Sequence, residues 1–218
     1  CCLVTDMAPY HEARFNAAAE AGDLLVLDVG KDIETAYDPP ESVRFPIIKV
    51  EQAAMEAKLT EIRPDVLVVP GWGSVIAQRA LLWAMRHDCP LVTFSDSQLE
   101  GLPRSVLQDL VKRRLVSAFS AAQVAGARAR RYLQHFGLPS AAISEGVDVV
   151  DNAHFAQHAG LSAIDLSEAR ARLALPERYF FSVNRFVPQK NLSGLLSTFS
   201  DYVAAGQAGG LELVIAGD

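Results

Sequence analysis

Cysteine is scarce in this sequence, and its few positions do not suggest a disulfide framework. The three cysteines are Cys1, Cys2 and Cys89, and adjacent cysteines rarely pair with each other. A chain of 218 residues, half of them hydrophobic, buries enough apolar surface to fold without covalent crosslinks. We therefore expect free thiols and a reducing, cytoplasmic setting.

The sequence also lacks an apolar stretch long enough to cross a membrane. Its longest apolar run, 66–77, contains Pro70 and two glycines and ends at Gln78 and Arg79, whereas a spanning helix needs about 20 apolar residues. The chain begins with Cys-Cys rather than Met and has no n-region of a signal peptide. We interpret it as trimmed at its start, and peripheral membrane contact stays open.

Two nucleotide-binding motifs are absent, and the sequence has fewer basic residues than acidic ones. No G-x-G-x-x-G follows a strand-like run, which disfavours nucleotide-dependent oxidoreductases, and no G-x-x-x-x-G-K-[ST] occurs, which excludes P-loop phosphotransfer. The net charge of −6 argues against a general nucleic-acid binder, because such binding depends on many phosphate-neutralising cations. An anionic ligand would need a local cluster of cations.

Short apolar runs alternate with amphipathic helical patterns through most of the chain. Runs such as "LLVLDV", "DVLVVPG" and "PLVTFSDS" are separated by such patterns, which is typical of a parallel sheet covered on both faces. The sequence predicts an α/β, Rossmann-like doubly wound parallel sheet of seven strands. Because ligands bind such sheets at the carboxyl ends of the strands, we expect the loops "TDMAPYH", "PGWGS" and "FSDSQLEG" to face a cleft.

The pattern changes between residues 148 and 177, which are polar, lack a strand-like run and contain one short helix that Ser167 is expected to cap. Alternation restarts with "RYFFSVNRF", a helix over 191–205 and "LELVIAGD". The apolar stripe of this helix is expected to face a sheet and consists of Leu192, Leu195, Leu196, Phe199 and Val203. We predict one domain over residues 1–165. Residues 166–218 would form a linker and the first β-α-β unit of a second, incomplete Rossmann-like domain.

Arg185 and Lys190 lie in the loop between a strand-like run and this helix. The first-turn amides and the dipole of a helix favour an anion in such a loop. The planar Arg fork and the mobile Lys charge together suit a diphosphate better than a single carboxylate. From the spacing alone, two ordinary cations on a solvated loop are an equally good interpretation.

Three motifs resemble retaining GT-B glycosyltransferases of family 4. The stretch "FFSVNRFVPQKNLSGLLSTF" resembles the strand-loop-helix that opens the donor domain, with its GR-x-x-x-x-K pattern. The stretch "ISEGVDVVDNAHFA" resembles the GVD…F segment at the domain junction, and "AQVAGARARRYLQHFGLP" resembles the helix that precedes it. Together they cover about residues 122–218, and the βα alternation before them fits the acceptor domain of the family.

The resemblance implies a hexosyltransferase that moves a sugar, with retention and without a metal cofactor, from a nucleotide diphosphate sugar to a glycan, lipid-linked or small-molecule acceptor. Such enzymes serve polysaccharide and cell-envelope synthesis. Arg185 and Lys190 would bind the donor diphosphate. Asn184 replaces a glycine of many relatives and is expected to crowd the phosphates. The paired glutamates of the family would lie beyond Asp218. Because the cleft of such enzymes needs both domains, the 218 residues alone are expected to be inactive.

Acceptor-side residues are expected in the loops of the first domain. Its first loop lacks the Gly-Gly of many relatives, so Tyr10, His11 and Arg14 are candidates for acceptor contacts. Tyr10 and His11 would equally well begin a helix primed by the preceding proline, and for Arg14 a structural role is the favoured interpretation. Trp72 either stacks on a sugar face or lipid chain or packs in the core. Asp96 is the candidate catalytic base or acceptor-orienting group, unless its loop is only a helix-capping turn.

The remaining polar clusters have ordinary explanations as well as functional ones. The basic clusters 112–114 and 128–131 lie on helical patterns, where solvated faces are the commoner explanation and contact with an anionic membrane is the alternative. The histidines lack the spacing and cysteine partners of a metal site. For the whole protein, two other hypotheses remain: a nucleotide-sugar 2-epimerase of GT-B fold, or a non-catalytic module that binds a glycan or protein.

Overall fold

The computed structural model describes residues 1–5, 7–30, 43–99, 105–160 and 162–217. The chain divides into two compact units, Cys1–Asn152 and Ala153–Asp218, and each is described by itself. The domain boundary expected at residue 165 stays a prediction.

The first unit contains a seven-stranded sheet. Its strands are β1 Cys2–Val4, β2 Val26–Asp28, β3 Ile47–Lys49, β4 Leu67–Val69, β5 Leu91–Ser95, β6 Ala121–Val124 and β7 Ile143–Glu145. The helices described in this unit are α1 Pro9–Ala21, α2 Met55–Ile62, α3 Val75–Arg86, α4 Val106–Val116 and α5 Ala127–His135.

The strands lie in the order β3-β2-β1-β4-β5-β6-β7, and every pairing is parallel. This confirms the predicted doubly wound, Rossmann-like α/β fold. The order reverses between β1 and β4, and in such sheets a crevice opens at the carboxyl ends of the strands on either side of that point. The three loops expected to face a cleft follow β1, β4 and β5, which are neighbours in the sheet.

Local sequence signals account for several helix ends. The Ser74 hydroxyl accepts a hydrogen bond from the Ala77 amide at 3.1 Å and thereby caps α3. Helix α1 begins with a proline at its first turn, as the sequence predicted. Helix α5 ends before Gly137, which has a φ of +104°, and Pro139 follows, as expected for a helix stop.

The core lies on both faces of the sheet. In β1, Leu3 belongs to the larger apolar cluster while Cys2 and Val4 belong to the smaller one, as the alternation of side chains along a strand requires. On the larger side, the indole N–H of Trp83 donates to the Thr60 hydroxyl at 2.9 Å. This bond joins α2 to α3 and satisfies the polar atom of a buried tryptophan.

The second unit begins with two helices, not one. These are α6 Asn152–Ala159 and α7 Ala163–Arg172. Ser162 caps α7 in a reciprocal capping box with Asp165, so the expectation that Ser167 would cap a single short helix is wrong. Ser167 lies inside α7, because the serine that is followed three residues later by a carboxylate forms the better cap.

The rest of the second unit is a parallel β-α-β arrangement, as predicted. Strand β8 Tyr179–Val183 pairs with β9 Glu212–Ala216, and helix α8 Leu192–Ala204 connects them. The side of α8 that faces the strands differs in part from the predicted stripe. Tyr202 packs on Phe180 with ring centroids 6.0 Å apart, whereas Leu196 and Val203 are exposed. The half-buried residues on the inward side of α8 are Leu192, Leu195, Phe199 and Tyr202. Leu196 and Val203 therefore lie beside this row and not within it.

The three cysteines, all of which the structure describes, carry free thiols. Burial raises the pKa of the Cys2 thiol to about 12, so this group is neutral and unreactive at ordinary pH. Of the helices in the described residues, none combines the length and apolar content that crossing a bilayer requires.

Candidate functional site

The candidate acceptor edge is the row of loops after β1, β4 and β5 in the first unit. In the loop after β4, the Gly71 amide donates to the Val69 carbonyl at 2.9 Å, and the φ of Gly71 is +76°. Only glycine adopts this conformation without strain. Asp6 in the first loop and residues 100–101 in the third lie outside the described residues.

Tyr10 and His11 lie on the first turn of α1, at the point where the strand order reverses. The Tyr10 ring is well exposed and lies 4.3 Å from the His11 ring, between centroids. The His11 ring is half-buried and stacks on Phe15 at 5.2 Å. Both residues therefore begin a helix, and Tyr10 alone of the two presents a largely accessible side chain.

Burial, and secondarily the nearby Arg14 charge, lowers the pKa of His11 to about 4. Nδ1 of His11 faces the Arg14 guanidinium, which only donates hydrogen bonds, so the single proton of the neutral ring lies on Nε2. At neutral pH this side chain is a hydrogen-bonding group and carries no charge for an anion.

Arg14 ties α1 to the segment after β7. Its Nη1 donates to the Val147 carbonyl at 2.7 Å, and its guanidinium carbon lies 5.1 Å from the ring centroids of both Phe15 and Phe94. The sequence favoured a structural role for Arg14 over an acceptor contact but did not indicate this bond. No local signal could have revealed this strut, because its partner lies 133 residues away.

The lowered pKa of His11 predicts an acid-dependent loss of stability. The unfolded chain has the ordinary histidine pKa of about 6.5 and the folded chain about 4, so the unfolded state takes up the proton first as pH falls. Stability is therefore unaffected above about pH 7 and declines through the window from 6.5 to 4. We expect urea unfolding to show roughly 2 kcal/mol less stability at pH 4.5 than at pH 7.5 from this group, after discounting for partial exposure.

The matched variant for this test is His11→Gln, which cannot titrate. The difference in unfolding free energy between wild type and variant should change by that amount between the two pH values. A difference that stays constant with pH would contradict the assignment of a neutral, buried imidazole.

Trp72 packs at the margin of the core. Its ring is nearly parallel to that of Tyr132, 6.3 Å away with an interplanar angle of 11°, and lies 5.8 Å from the ring of Phe119. These contacts correspond to the core alternative that the sequence left open. The ring is half-buried, so an acceptor contact of its remaining surface stays a prediction.

Asp96 directly follows β5 and is exposed to solvent. The neighbouring Ser95 hydroxyl accepts a long hydrogen bond, 3.4 Å, from the Ser97 amide. Helix α4 is capped further along by Ser105, whose hydroxyl accepts from the Gln108 amide. Asp96 therefore lies at the carboxyl end of a central strand, and its catalytic role stays a prediction.

In the second unit, Arg185 and Lys190 are both exposed and bracket the approach to α8. The Val187 amide donates to the Arg185 carbonyl at 2.9 Å, and the Lys190 amide donates to the Val187 carbonyl at 3.0 Å. The loop therefore turns tightly and presents Lys190 just ahead of the helix. The side chain of Asn191, the residue before α8, makes no capping hydrogen bond to the helix, so first-turn amides remain available to a ligand.

The carboxyl ends of β8 and β9 approach closely beside Arg185. A Cβ atom on Gly217, whose φ is +150°, would lie 1.8 Å from the Asn184 carbonyl oxygen, so only glycine fits there. The Asn184 side-chain amide donates to the Ser182 hydroxyl. The side-chain amide is therefore engaged at the strand end, and the expected crowding of the phosphates by Asn184 stays a prediction.

A groove of about 620 Å³ opens at the opposite edge of the first unit, among residues that precede β2, β3 and β4, including Leu25, Pro46 and Val66. Parallel sheets place ligands at the carboxyl ends of their strands, so we do not assign this groove to the site. Among the described residues, no three His, Cys, Asp or Glu side chains form a metal-ligand cluster.

No family model and no curated protein matches this sequence. Solved structures do match the fold. The UDP-forming α,α-trehalose-phosphate synthase from Burkholderia vietnamiensis aligns with a TM-score of 0.66 at 11% identity, over 99% of this chain and 62% of that one. The HepE protein of Anabaena, in complex with UDP and glucose, aligns with a TM-score of 0.64 at 12% identity, over 98% and 68% respectively.

An epimerase has a similar fold. The UDP-N-acetylglucosamine 2-epimerase from Rickettsia bellii aligns with a TM-score of 0.59 at 13% identity, and the chain spans 61% of its length. Identities this low establish a common fold and nothing finer.

Proposed function

We propose that this chain is part of a nucleotide-sugar-dependent glycosyltransferase of GT-B architecture, in which Arg185 and Lys190 bind the donor diphosphate. The observation that carries the proposal is the exposed pair of cations beside the uncapped first turn of α8. The named ligands or reactions of the structural neighbours, which include UDP, UDP-glucose and UDP-forming synthesis, support it.

In this proposal the site stabilises the leaving group electrostatically. As the bond between the anomeric carbon and the diphosphate oxygen breaks, negative charge grows on the departing nucleotide diphosphate. The Arg185 fork, the Lys190 ammonium and the helix amides would offset that charge. The new bond forms between the anomeric carbon and an acceptor oxygen, with retention of configuration. The acceptor proton passes to a base or to the leaving phosphate, and no step is assigned to a metal.

We assign the acceptor contacts to the first unit. Tyr10 is accessible at the point where the strand order reverses, and Asp96 is accessible at the end of the neighbouring β5. His11 would contribute a hydrogen bond, since it is neutral at pH 7. The acceptor is a glycan, a lipid-linked sugar or a small molecule, and we place the reaction in cytoplasmic synthesis of envelope polysaccharide.

A 2-epimerase is the second candidate, and a specific observation favours it. The epimerases of Rickettsia bellii and Neisseria meningitidis both align with the whole of this chain. An epimerase would use the same diphosphate ligands. Its reaction differs at the sugar, because inverting C2 replaces the C2 hydrogen with one from solvent.

Isotope exchange distinguishes the two reactions. The full-length gene product is incubated in D₂O with UDP-glucose and with UDP-N-acetylglucosamine, in the presence of a chelator and without an acceptor, and followed by proton NMR. The transferase proposal predicts that both UDP-sugars retain the hydrogen at C2. It also predicts that one of the two releases UDP once an acceptor is added. Deuterium at C2 together with a new UDP-sugar would overturn the transferase proposal in favour of the epimerase.

A further inference from the structure

Arg14 is a partly buried cation without a carboxylate partner. Its guanidinium lies between the Phe15 and Phe94 rings and bonds to the Val147 carbonyl, whereas the ion pairs among the described residues all involve other side chains. The chain has 26 acidic and 20 basic residues, so carboxylates are not in short supply. A cation held partly away from water without a counter-ion is costly. An anion bound beside Arg14 would remove that cost.

The hydrogen bonds of Arg14 leave some of its donors unused. A guanidinium carries five N–H groups, of which one on Nη1 goes to the Val147 carbonyl and one on Nη2 goes to His11 Nδ1. The Nε atom is buried and has no partner within the described part of the chain. An unsatisfied buried donor is itself destabilising. Arg14 therefore keeps both its charge and further N–H groups for a ligand.

Tyr10 and His11 share one face of α1 with Arg14, because they precede it by four and three residues. The neutral His11 ring carries its proton on Nε2, and the accessible Tyr10 ring ends in a hydroxyl, so both side chains can donate. Glu12 lies two residues from Arg14, on the other side of the helix. Ala8, the residue before α1, makes no side-chain cap, so the positive end of the helix dipole adds to the charge of this face.

We propose that this face of α1, formed by Tyr10, His11 and Arg14, binds a phosphate group of the acceptor. The guanidinium compensates the charge, and the imidazole N–H and the phenol hydroxyl donate to the remaining oxygens. Three donors on separate side chains suit a tetrahedral oxyanion better than a planar carboxylate. Phe94 lies in β5 two residues before the candidate base Asp96, so the phosphate site and that base share one end of the sheet.

The acceptor would accordingly be a phosphorylated sugar or polyol, or a lipid with a phosphate in its headgroup. Naming the ligand as the acceptor rests on the proposed function, whereas the phosphate site itself does not. The test is therefore made without the donor site.

Proton NMR of the full-length gene product that carries Arg185→Ala and Lys190→Ala measures phosphate binding. The His11 ring resonance is identified by its absence from a His11→Gln variant and is followed as inorganic phosphate replaces chloride at constant ionic strength. We expect a saturable shift. Adding Arg14→Gln should weaken phosphate binding about tenfold or more, because a charged contact is lost, and adding Tyr10→Phe should weaken it roughly two- to tenfold.

Arg63→Gln in the same background is the matched control. This arginine is exposed at the opposite edge of the first unit, so the variant changes the net charge equally and should keep the phosphate affinity within about twofold. Arg14→Lys, which retains the charge, should recover part of the loss. Circular dichroism at the assay temperature confirms that each variant is folded, and Tyr10→Phe keeps the test decisive if Arg14→Gln does not fold.

Competition with inorganic phosphate identifies the source of the phosphate group. The competitors are glucose 6-phosphate and dihexanoyl phosphatidylglycerol, a water-soluble lipid, and glucose is the neutral control. Competition by either ester and not by glucose supports the proposal, and the stronger ester assigns the acceptor to sugar phosphates or to lipids. Absence of a saturable His11 shift, equal affinities of the Arg14→Gln and Arg63→Gln variants, or competition by neither ester would overturn it. Failure of the donor-site proposal would leave these results unchanged, because the donor cations are already removed.

Discussion

Replacing both Arg185 and Lys190 by alanine is expected to weaken UDP binding to the full-length gene product by at least about two orders of magnitude. Each charge-assisted contact contributes roughly 1.5 to 3 kcal/mol, and every 1.4 kcal/mol is about tenfold in affinity. Isothermal titration calorimetry with UDP measures the effect. The single variants should each lose about tenfold or more, and Arg185→Lys should recover only part of the loss, because an ammonium cannot make the bidentate contact.

The matched control for this pair is Arg170→Ala with Arg172→Ala. These arginines are exposed on α7 in the same unit, so the variant changes the net charge equally and leaves the β8–α8 loop intact. Its affinity should stay within about twofold of wild type, because distant surface charges are screened. An equal loss in both double variants would mean that overall charge, rather than this loop, attracts the nucleotide.

Arg14→Ala is expected to destabilise the first unit by about 3 kcal/mol. The variant loses a charged hydrogen bond to the Val147 carbonyl and the contacts with the rings of Phe15 and Phe94. Such terms contribute roughly 1.5 to 3 kcal/mol for the bond and 0.5 to 1 kcal/mol for each ring. For a unit of this size the thermal midpoint should fall by roughly 6 to 12 °C.

The Arg14 variant has a second readout that loss of packing alone would not produce. Removing the guanidinium removes one of the two causes that lower the pKa of His11, so that pKa should rise while burial still keeps it below 6.5. Arg44→Ala is the control, since its ion pair with Glu20 is largely exposed and contributes about 1 kcal/mol or less. If the Arg14 variant were as stable as the Arg44 variant, the claim that Arg14 stabilises the unit by linking α1 to the segment after β7 would be wrong.

The fold was predictable because its signals are local. The helix predicted over 191–205 forms as α8, and α3 is capped by the serine at its own start, Ser74. The seven-stranded parallel sheet followed from apolar runs that alternate with helical patterns. The cap of α7 was a readable signal that the prediction missed, because Ser162 is followed three residues later by a carboxylate and Ser167 is not.

The features that could not be predicted depend on residues far apart in the sequence or on which side of a helix faces outward. The bond from Arg14 to Val147 joins residues at opposite ends of the first unit. In α4, apolar residues occur on both sides of the helix, so the sequence showed the basic cluster but not that Leu107 and Leu110 face outward. The tight approach of Gly217 to the Asn184 carbonyl likewise depends on the register of β8 and β9.

The central claim is that the donor diphosphate lies against Arg185 and Lys190, and phosphorus NMR of UDP tests it most directly. Titrating the full-length gene product into UDP should shift the β-phosphorus resonance saturably, and the shift should disappear in the Arg185→Ala, Lys190→Ala double variant but persist in the α7 control. A shift of equal size in the double variant would place the diphosphate elsewhere and contradict the assignment of this site.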